Sequence, residues 1–170
     1  MDYLRFHNIS KIFTNEQQEQ VHALHGLSFS CNKGEFLSLV GPTGCGKTTL
    51  LRMAAGLLHP EQGEITVKDE AVTSPRRDTT MVFQQYSLFP WRTVLENISF
   101  GPQMKGKRRK KREEMARKYI KLTGLDQFED SYPHELSGGM QQRAALARAL
   151  AHAPDAPLMA ACLCALGPRR

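Results

Sequence analysis

Phe36-Leu37-Ser38-Leu39-Val40-Gly41-Pro42-Thr43-Gly44-Cys45-Gly46-Lys47-Thr48-Thr49-Leu50-Leu51 is the stretch on which the reading of this chain turns. It begins with an apolar run, passes through a glycine-rich middle and ends in helix-forming residues. Gly41 to Thr48 fit the spacing GxxxxGK[ST], in which the glycines let the backbone turn tightly enough to aim successive N–H groups at a polyphosphate. Lys47 is placed to neutralise the β and γ phosphates, and Thr48 to ligate magnesium through its hydroxyl. The helix beginning near Lys47 turns its positive end toward the anion. Gly41, Pro42, Thr43, Gly44, Cys45, Gly46, Lys47, Thr48 and Thr49 therefore make up a candidate phosphate cradle, and a nucleoside triphosphate is the implied ligand. The bland alternative is a glycine turn that merely precedes a helix; the strand-loop-helix context argues against it.

The 170 residues suffice for one domain with a core, and 41% apolar with 24% charged residues is the balance of a globular protein rather than a disordered one. The amino terminus, Met1-Asp2-Tyr3-Leu4-Arg5-Phe6-His7, lacks the basic start and apolar run of a signal peptide. No stretch approaches the roughly 18 apolar residues of a membrane span. A cytoplasmic location is expected. Cys31, Cys45, Cys162 and Cys164 have neither metal-ligand spacing nor the density of a disulfide scaffold, so they read as free thiols. The net charge of +6 is concentrated in Lys105 to Arg112, where seven of eight residues are Lys or Arg. A solvated helix start is the simpler reading of that run than a lipid or nucleic-acid contact. The absence of interleaved aromatics weighs against nucleic acid as a partner.

Periodicity predicts short strands at 3–7 and 27–31, joined by the polar stretch Asn15 to Gln20 as an antiparallel edge piece. It further predicts a buried strand at Glu35–Val40, a helix at Thr48–Ala55 stopped near Gly56 and Pro60, and an alternating strand at Glu64–Lys68. Strand-helix-strand order implies an α/β core of the P-loop NTPase kind. Thr80 to Phe83 is a further short apolar run, after which Pro90, Gly101 and Pro102 interrupt the pattern. Met115, Tyr119 and Leu122 mark a helix within Lys107–Thr123, closed by Gly124, and a second helix is expected from about Gly139 to Ala151. A helical insert thus spans roughly 85–150, followed by an apolar segment, Pro157 to Leu166, that reads as a buried parallel strand.

Leu136-Ser137-Gly138-Gly139-Met140-Gln141-Gln142-Arg143 precedes the second of these helices, with Ser137 able to cap it and two glycines baring backbone N–H groups. Alone it would pass for an ordinary Ser-capped helix. Downstream of a phosphate loop, and followed by Ala144-Ala145-Leu146-Ala147-Arg148, it resembles the signature of the ATP-binding cassette family. The resemblance covers nearly the whole chain and implies a P-loop core with an antiparallel β edge piece and a helical insert carrying the signature. It implies that Phe13 stacks on adenine and that Gln84, in Val82-Phe83-Gln84, meets magnesium and the attacking water. By themselves Phe13 would be an edge aromatic and Gln84 a surface amide. The segment Leu88 to Ile98 is similar to the branch of importer ATPases that takes up nitrate, sulfonate, taurine or related organic anions. The family's head-to-tail dimers further imply that Ser137, Gly138 and Gly139 cover ATP held by a second copy. Phe89, Pro90 and Trp91 become candidate contacts to transmembrane permease subunits, with core packing as the alternative. A solute-binding protein is implied indirectly, and peripheral attachment to the cytoplasmic face of the cell membrane with it.

The end of the chain departs from that pattern. Aligning Leu158 to Gly167 with the family's buried strand puts Ala160 at the magnesium-sphere Asp, Ala161 at the catalytic Glu and Gly167 at the D-loop Asp. An alanine can neither accept a hydrogen bond from metal-bound water nor act as a general base, and a positioned base supplies roughly 10²–10⁴-fold. Very slow hydrolysis is expected. The family's switch histidine is not reached, and His134 and His152 read as surface residues. Residues 1–170 therefore read as a single nucleotide-binding domain of this family, truncated at its C-terminal end, and marginal stability is expected of it. An ATP-binding importer subunit and a catalytically silent nucleotide-binding interaction module both fit these residues. A small-molecule kinase would leave LSGGMQQR unexplained.

Overall fold

In the chain's first strand, the side chains of Tyr3, Phe6 and Ile9 are buried, a spacing of three where a regular strand would give two. The cause is visible in the computed structural model, which describes residues 2–14, 16–76, 78–82, 87–152 and 156–159. Strand β1 (Asp2–Thr14) pairs antiparallel with β2 (Gln20–Asn32), and the register shifts between Phe6 and Ile9, where Asn8 has a φ of 50°. Each such irregularity moves the buried set by one residue. That is why alternation in the sequence located only 3–7 and 27–31, whereas each strand runs for 13 residues. Phe6 and Phe29 are cross-strand partners whose rings stack at 4.4 Å.

On its other side β1 pairs antiparallel with β3 (Gln62–Val67), which carries the short β4 (Glu70–Ala71), giving the order β2-β1-β3-β4. Between β2 and β3 lies helix α1 (Lys47–Ala54), one residue from the expected span. Its buried residues Leu50, Met53 and Ala54 form an i, i+3, i+4 stripe.

The expected buried strand at Glu35–Val40 is not one. Residues 35–40 carry no ladder, and Phe36 and Val40 are 89% and 83% exposed. An apolar run becomes a core strand only where neighbouring strands satisfy its N–H and C=O groups. Among the described residues no strand pairs with this segment, and the four-stranded sheet is complete without it.

The chain divides into two units, Met1–Arg76 and Arg77–Arg170. In the second, β5 (Thr79–Val82) pairs in parallel with β6 (Ala156–Met159), so part of the expected C-terminal strand is present. Between them come helices α2 (Val94–Met104), α3 (Arg109–Leu122) and α4 (Gly138–Ala151). Their shared core is Val94, Ile98, Ala116, Ile120, Leu125, Leu136, Ala144, Ala147 and Ala151. Helices α3 and α4 fall where periodicity puts them. Helix α2 does not: Gly101 and Pro102, expected to interrupt the pattern, lie buried inside it. Its start is fixed by a capping box, with Glu96 N–H donating to Thr93 Oγ1 (3.3 Å) and Thr93 N–H to Glu96 Oε2 (3.0 Å). Gly101 lets α2 approach His152 closely, since a Cβ there would stand 3.1 Å from Cβ of His152. His152, expected at the surface, is accordingly half-buried, and its carbonyl accepts from Lys105 Nζ at 2.6 Å. His134 is exposed, as expected.

The basic run spans the α2–α3 connection and the first turn of α3, mostly exposed, with Arg109 paired to Glu113 at 2.7 Å. That hydrogen bond, and the nearby Arg109 and Arg117 charges, hold the Glu113 carboxyl below its ordinary range. Cys31 and Cys45 are free thiols. Burial, and then the Glu35 carboxylate, push the Cys31 thiol up. Cys162 and Cys164 lie outside the described residues.

Candidate nucleotide site

The phosphate-loop sequence forms an open loop ending in a helix start. Gly41 to Cys45 are exposed, and the N-cap of α1 is Gly46 at φ 88°, a left-handed conformation that glycine adopts without strain. A Cβ at Gly46 would lie 2.5 Å from the Ala23 carbonyl and 2.8 Å from Leu24 Cδ2, so β2 also packs against this point. No side chain caps α1, and its first turn holds no acid. Among the described residues the helix start thus has no side-chain cap and no first-turn acid, and retains its positive end. Lys47 folds back over the loop, its Nζ donating to the carbonyls of Gly41 (2.7 Å) and Pro42 (2.6 Å) and lying 3.3 Å from Cys45 Sγ. An ammonium held by two neutral carbonyls inside an uncapped glycine loop is the donor set an oligophosphate requires. The residues present fit that group. Thr48, the second residue of the helix, is exposed.

Phe13 sits near the end of β1 opposite Val21 of β2, two residues before the Ala23 that packs on Gly46. The β1–β2 pair therefore brings the expected adenine platform and the phosphate loop into one neighbourhood. The Phe13 ring is 41% exposed, with Lys11 Nζ 5.6 Å from its centroid. Lys11 is in turn held by Glu61 (2.7 Å), whose other oxygen accepts from the Ile12 N–H at 2.5 Å. The Lys11 hydrogen bond, and after it the one from Ile12, depress the Glu61 carboxyl below the usual glutamate range. This bracket behind Phe13 was invisible in the sequence, because Glu61 and Lys11 are 50 residues apart.

In the second unit, Ser137 caps α4 by accepting from the Met140 N–H (3.4 Å), and Ser137, Gly138 and Gly139 are all exposed. Nothing stands within 4 Å of where a Cβ of Gly139 would be, so the helix start is open to an approaching group. Two residues of the signature have structural work that motif reading missed. Gln141 donates to the Pro133 (2.8 Å) and Leu136 (3.2 Å) carbonyls, fixing the approach to the helix. Arg143 donates to the Thr123 carbonyl at 2.8 Å and ties α4 to the end of α3.

Of the remaining candidates, Pro90 and Trp91 are exposed, Trp91 to 70%, while Phe89 is half-buried. Phe89 meets the rings of Trp91 at 5.7 Å and Phe100 at 4.8 Å, with the Arg92 and Arg148 guanidiniums each 5.5 Å from its centroid. Burial lowers the pKa of Arg148, which donates to the Ser87 carbonyl at 2.8 Å. Gln84, Ala160, Ala161 and Gly167 lie outside the described residues. Among the described residues no helix is long and apolar enough to cross a membrane, and no cluster of three or more His, Cys, Asp or Glu could hold a metal ion.

Comparison with known proteins bears on this geometry. The sequence pattern described as ABC transporter matches residues 24–159. An uncharacterized ABC transporter ATP-binding protein of Methanocaldococcus jannaschii is 49% identical over 92% of this chain and 58% of its own length. A taurine import ATP-binding protein of Ruegeria pomeroyi is 46% identical over 94% of this chain and 59% of its own length. A nitrate import ATP-binding protein of Synechocystis is 44% identical over 92% of this chain and 59% of its own length. The chain thus spans a little over half the length of these relatives. Among solved structures, a dimeric ATP-binding cassette in a post-hydrolysis state bound to ADP and Pi superimposes with a TM-score of 0.83. It is 32% identical and covers 92% of this chain and 72% of its own.

Proposed function

The chain belongs to the ABC transporter family, and on that premise we propose that it is the ATP-binding subunit of an importer for a small organic anion of the taurine, sulfonate or nitrate kind. The observation that carries the reading is the uncapped α1 start at Gly46, with Lys47 folded over it. Gly41 to Thr49 bind the phosphates of ATP, Lys47 exchanging two carbonyl partners for phosphate oxygens. Phe13 stacks on the adenine, and its ring is held in place from behind by Lys11 and Glu61. Thr48 and Gln84 would hold Mg2+, which when bound would supply charge neutralisation to the phosphates.

Two copies form the working unit in this reading, Ser137, Gly138 and Gly139 of one covering the ATP of the other. A γ-phosphate between two helix starts gains preorganised N–H donors from both sides. The dimeric cassette solved with ADP and Pi supports that arrangement by likeness. The import names of two relatives support attachment to membrane permease subunits at the cytoplasmic face; a solute-binding protein acting upstream is implied by the family resemblance alone. Residues 1–170 supply one nucleotide-binding domain, of which roughly 85–150 are the helical part. Hydrolysis by this chain is slow, since Ala160 and Ala161 stand where the family carries its magnesium Asp and catalytic Glu. A subunit that binds ATP and turns it over poorly also suits the silent-module reading, which fails if the unaltered protein already hydrolyses ATP as its Ala160→Asp, Ala161→Glu variant does.

Sedimentation velocity with and without MgATP tests the proposal. The expected result is a monomer that becomes a dimer only with nucleotide, and a Lys47→Ala variant that stays monomeric. Loss of a charge-assisted contact worth about 1.5–3 kcal/mol should weaken nucleotide binding by about 10–100-fold. Dimerisation that ignores ATP, or that survives Lys47→Ala, would count against it.

A further inference from the structure

Asn97 is 1% exposed and lies on the first turns of α2, yet its carboxamide is spent entirely on the loop before the helix. Oδ1 accepts from the Phe89 N–H at 2.8 Å. Nδ2 donates to the carbonyls of Phe89 (3.1 Å), Arg92 (3.0 Å) and Thr93 (3.0 Å). Two N–H groups thus serve three carbonyls, so one hydrogen is shared. Flipping the amide would set its NH₂ against an N–H and its oxygen against three oxygens, which fixes the orientation. Every partner is a main-chain atom. The side chain therefore dictates the path of residues 89–93 whatever side chains they bear.

That path is closed further by the Arg92 N–H donating to the Phe89 carbonyl at 3.1 Å. Phe89 is wedged against Phe100, and the Arg92 guanidinium lies 4.9 Å from the Phe100 centroid. Pro90 and Trp91 are left outside, Trp91 70% exposed and 5.7 Å from the Phe89 ring. A large aromatic displayed on a loop whose backbone is already fixed loses little conformational entropy when it is covered.

We infer that Asn97 is a positioning residue that sets the Phe89–Thr93 loop and thereby presents Trp91 to the membrane subunits. The inference rests on the proposed docking of Phe89, Pro90 and Trp91, and its own test is independent of that docking.

Trp91 is the single tryptophan of the chain, so its fluorescence reports this loop alone. Asn97→Asp keeps shape and the acceptor for the Phe89 N–H but sets a carboxylate oxygen against three carbonyls. It should shift the Trp91 emission maximum and raise its quenching by acrylamide, while far-UV helicity and ATP affinity stay unchanged. An unchanged Trp91 signal would overturn the inference. In the unmodified protein, hydrogen exchange at the Phe89 amide should be as slow as inside α2 although it lies outside any helix; exchange at open-loop rates would overturn the inference without any variant. Trp91→Ala that still assembles with the membrane subunits would sink the docking reading alone.

Discussion

Glu61 shows how far a single carboxylate can reach. It bonds the Lys11 ammonium and the Ile12 amide, and so braces the strand that carries Phe13. Because its pKa is depressed in the folded protein, the stability it contributes is fully present above the ordinary glutamate pKa of about 4.3 and is lost as pH falls through the lower folded value. Glu61→Gln should therefore flatten the acid limb of stability below the ordinary glutamate pKa, read by urea unfolding at a series of pH values; an unaltered limb would show that the bracket carries nothing. The sequence disclosed the candidate phosphate-loop residues, since their types and spacing follow from the chemistry of an anion at a helix start. It could not disclose Glu61, whose partners come from another strand, nor Asn97, which in a helical stretch reads only as a poor helix former.

Elements defined by local chemistry were the legible ones. Helix α1 follows its glycine loop, α3 and α4 follow an apolar stripe, and α4 begins at the Ser137 cap. Two elements misled, for opposite reasons. Residues 35–40 have the composition of a buried strand without a partner to make them one. Helix α2 has Gly101 and Pro102 inside it, and forms because the Thr93–Glu96 capping box and the burial of Val94 and Ile98 outweigh a glycine and a missing amide. The signal that could have found it, Thr93-Val94-Leu95-Glu96, stands in the sequence. Thr93→Ala should cost about 1 kcal/mol and lower the thermal midpoint by several degrees, followed by circular dichroism. No change would mean that α2 is held by packing alone.

At the scale of the molecule, the sheet unit carries the phosphate loop and Phe13, and the helical unit carries the signature and Trp91. This division puts the candidate phosphate loop and the exposed Trp91 on separate pieces of chain, each built around its own buried residues. The excess positive charge falls on the α2–α3 connection and the start of α3, away in sequence from both the loop and the signature, and needs no nucleic-acid partner to explain it. Exposed Phe36 and Val40 leave apolar surface beside the loop. Everything else depends on whether the glycine loop holds a nucleotide. Equilibrium dialysis of the purified chain against MgATP asks this most directly. The expected result is saturable binding of one ATP per chain that Lys47→Ala weakens by about 10–100-fold; no saturable binding by a folded chain, or equal binding by the variant, would contradict it.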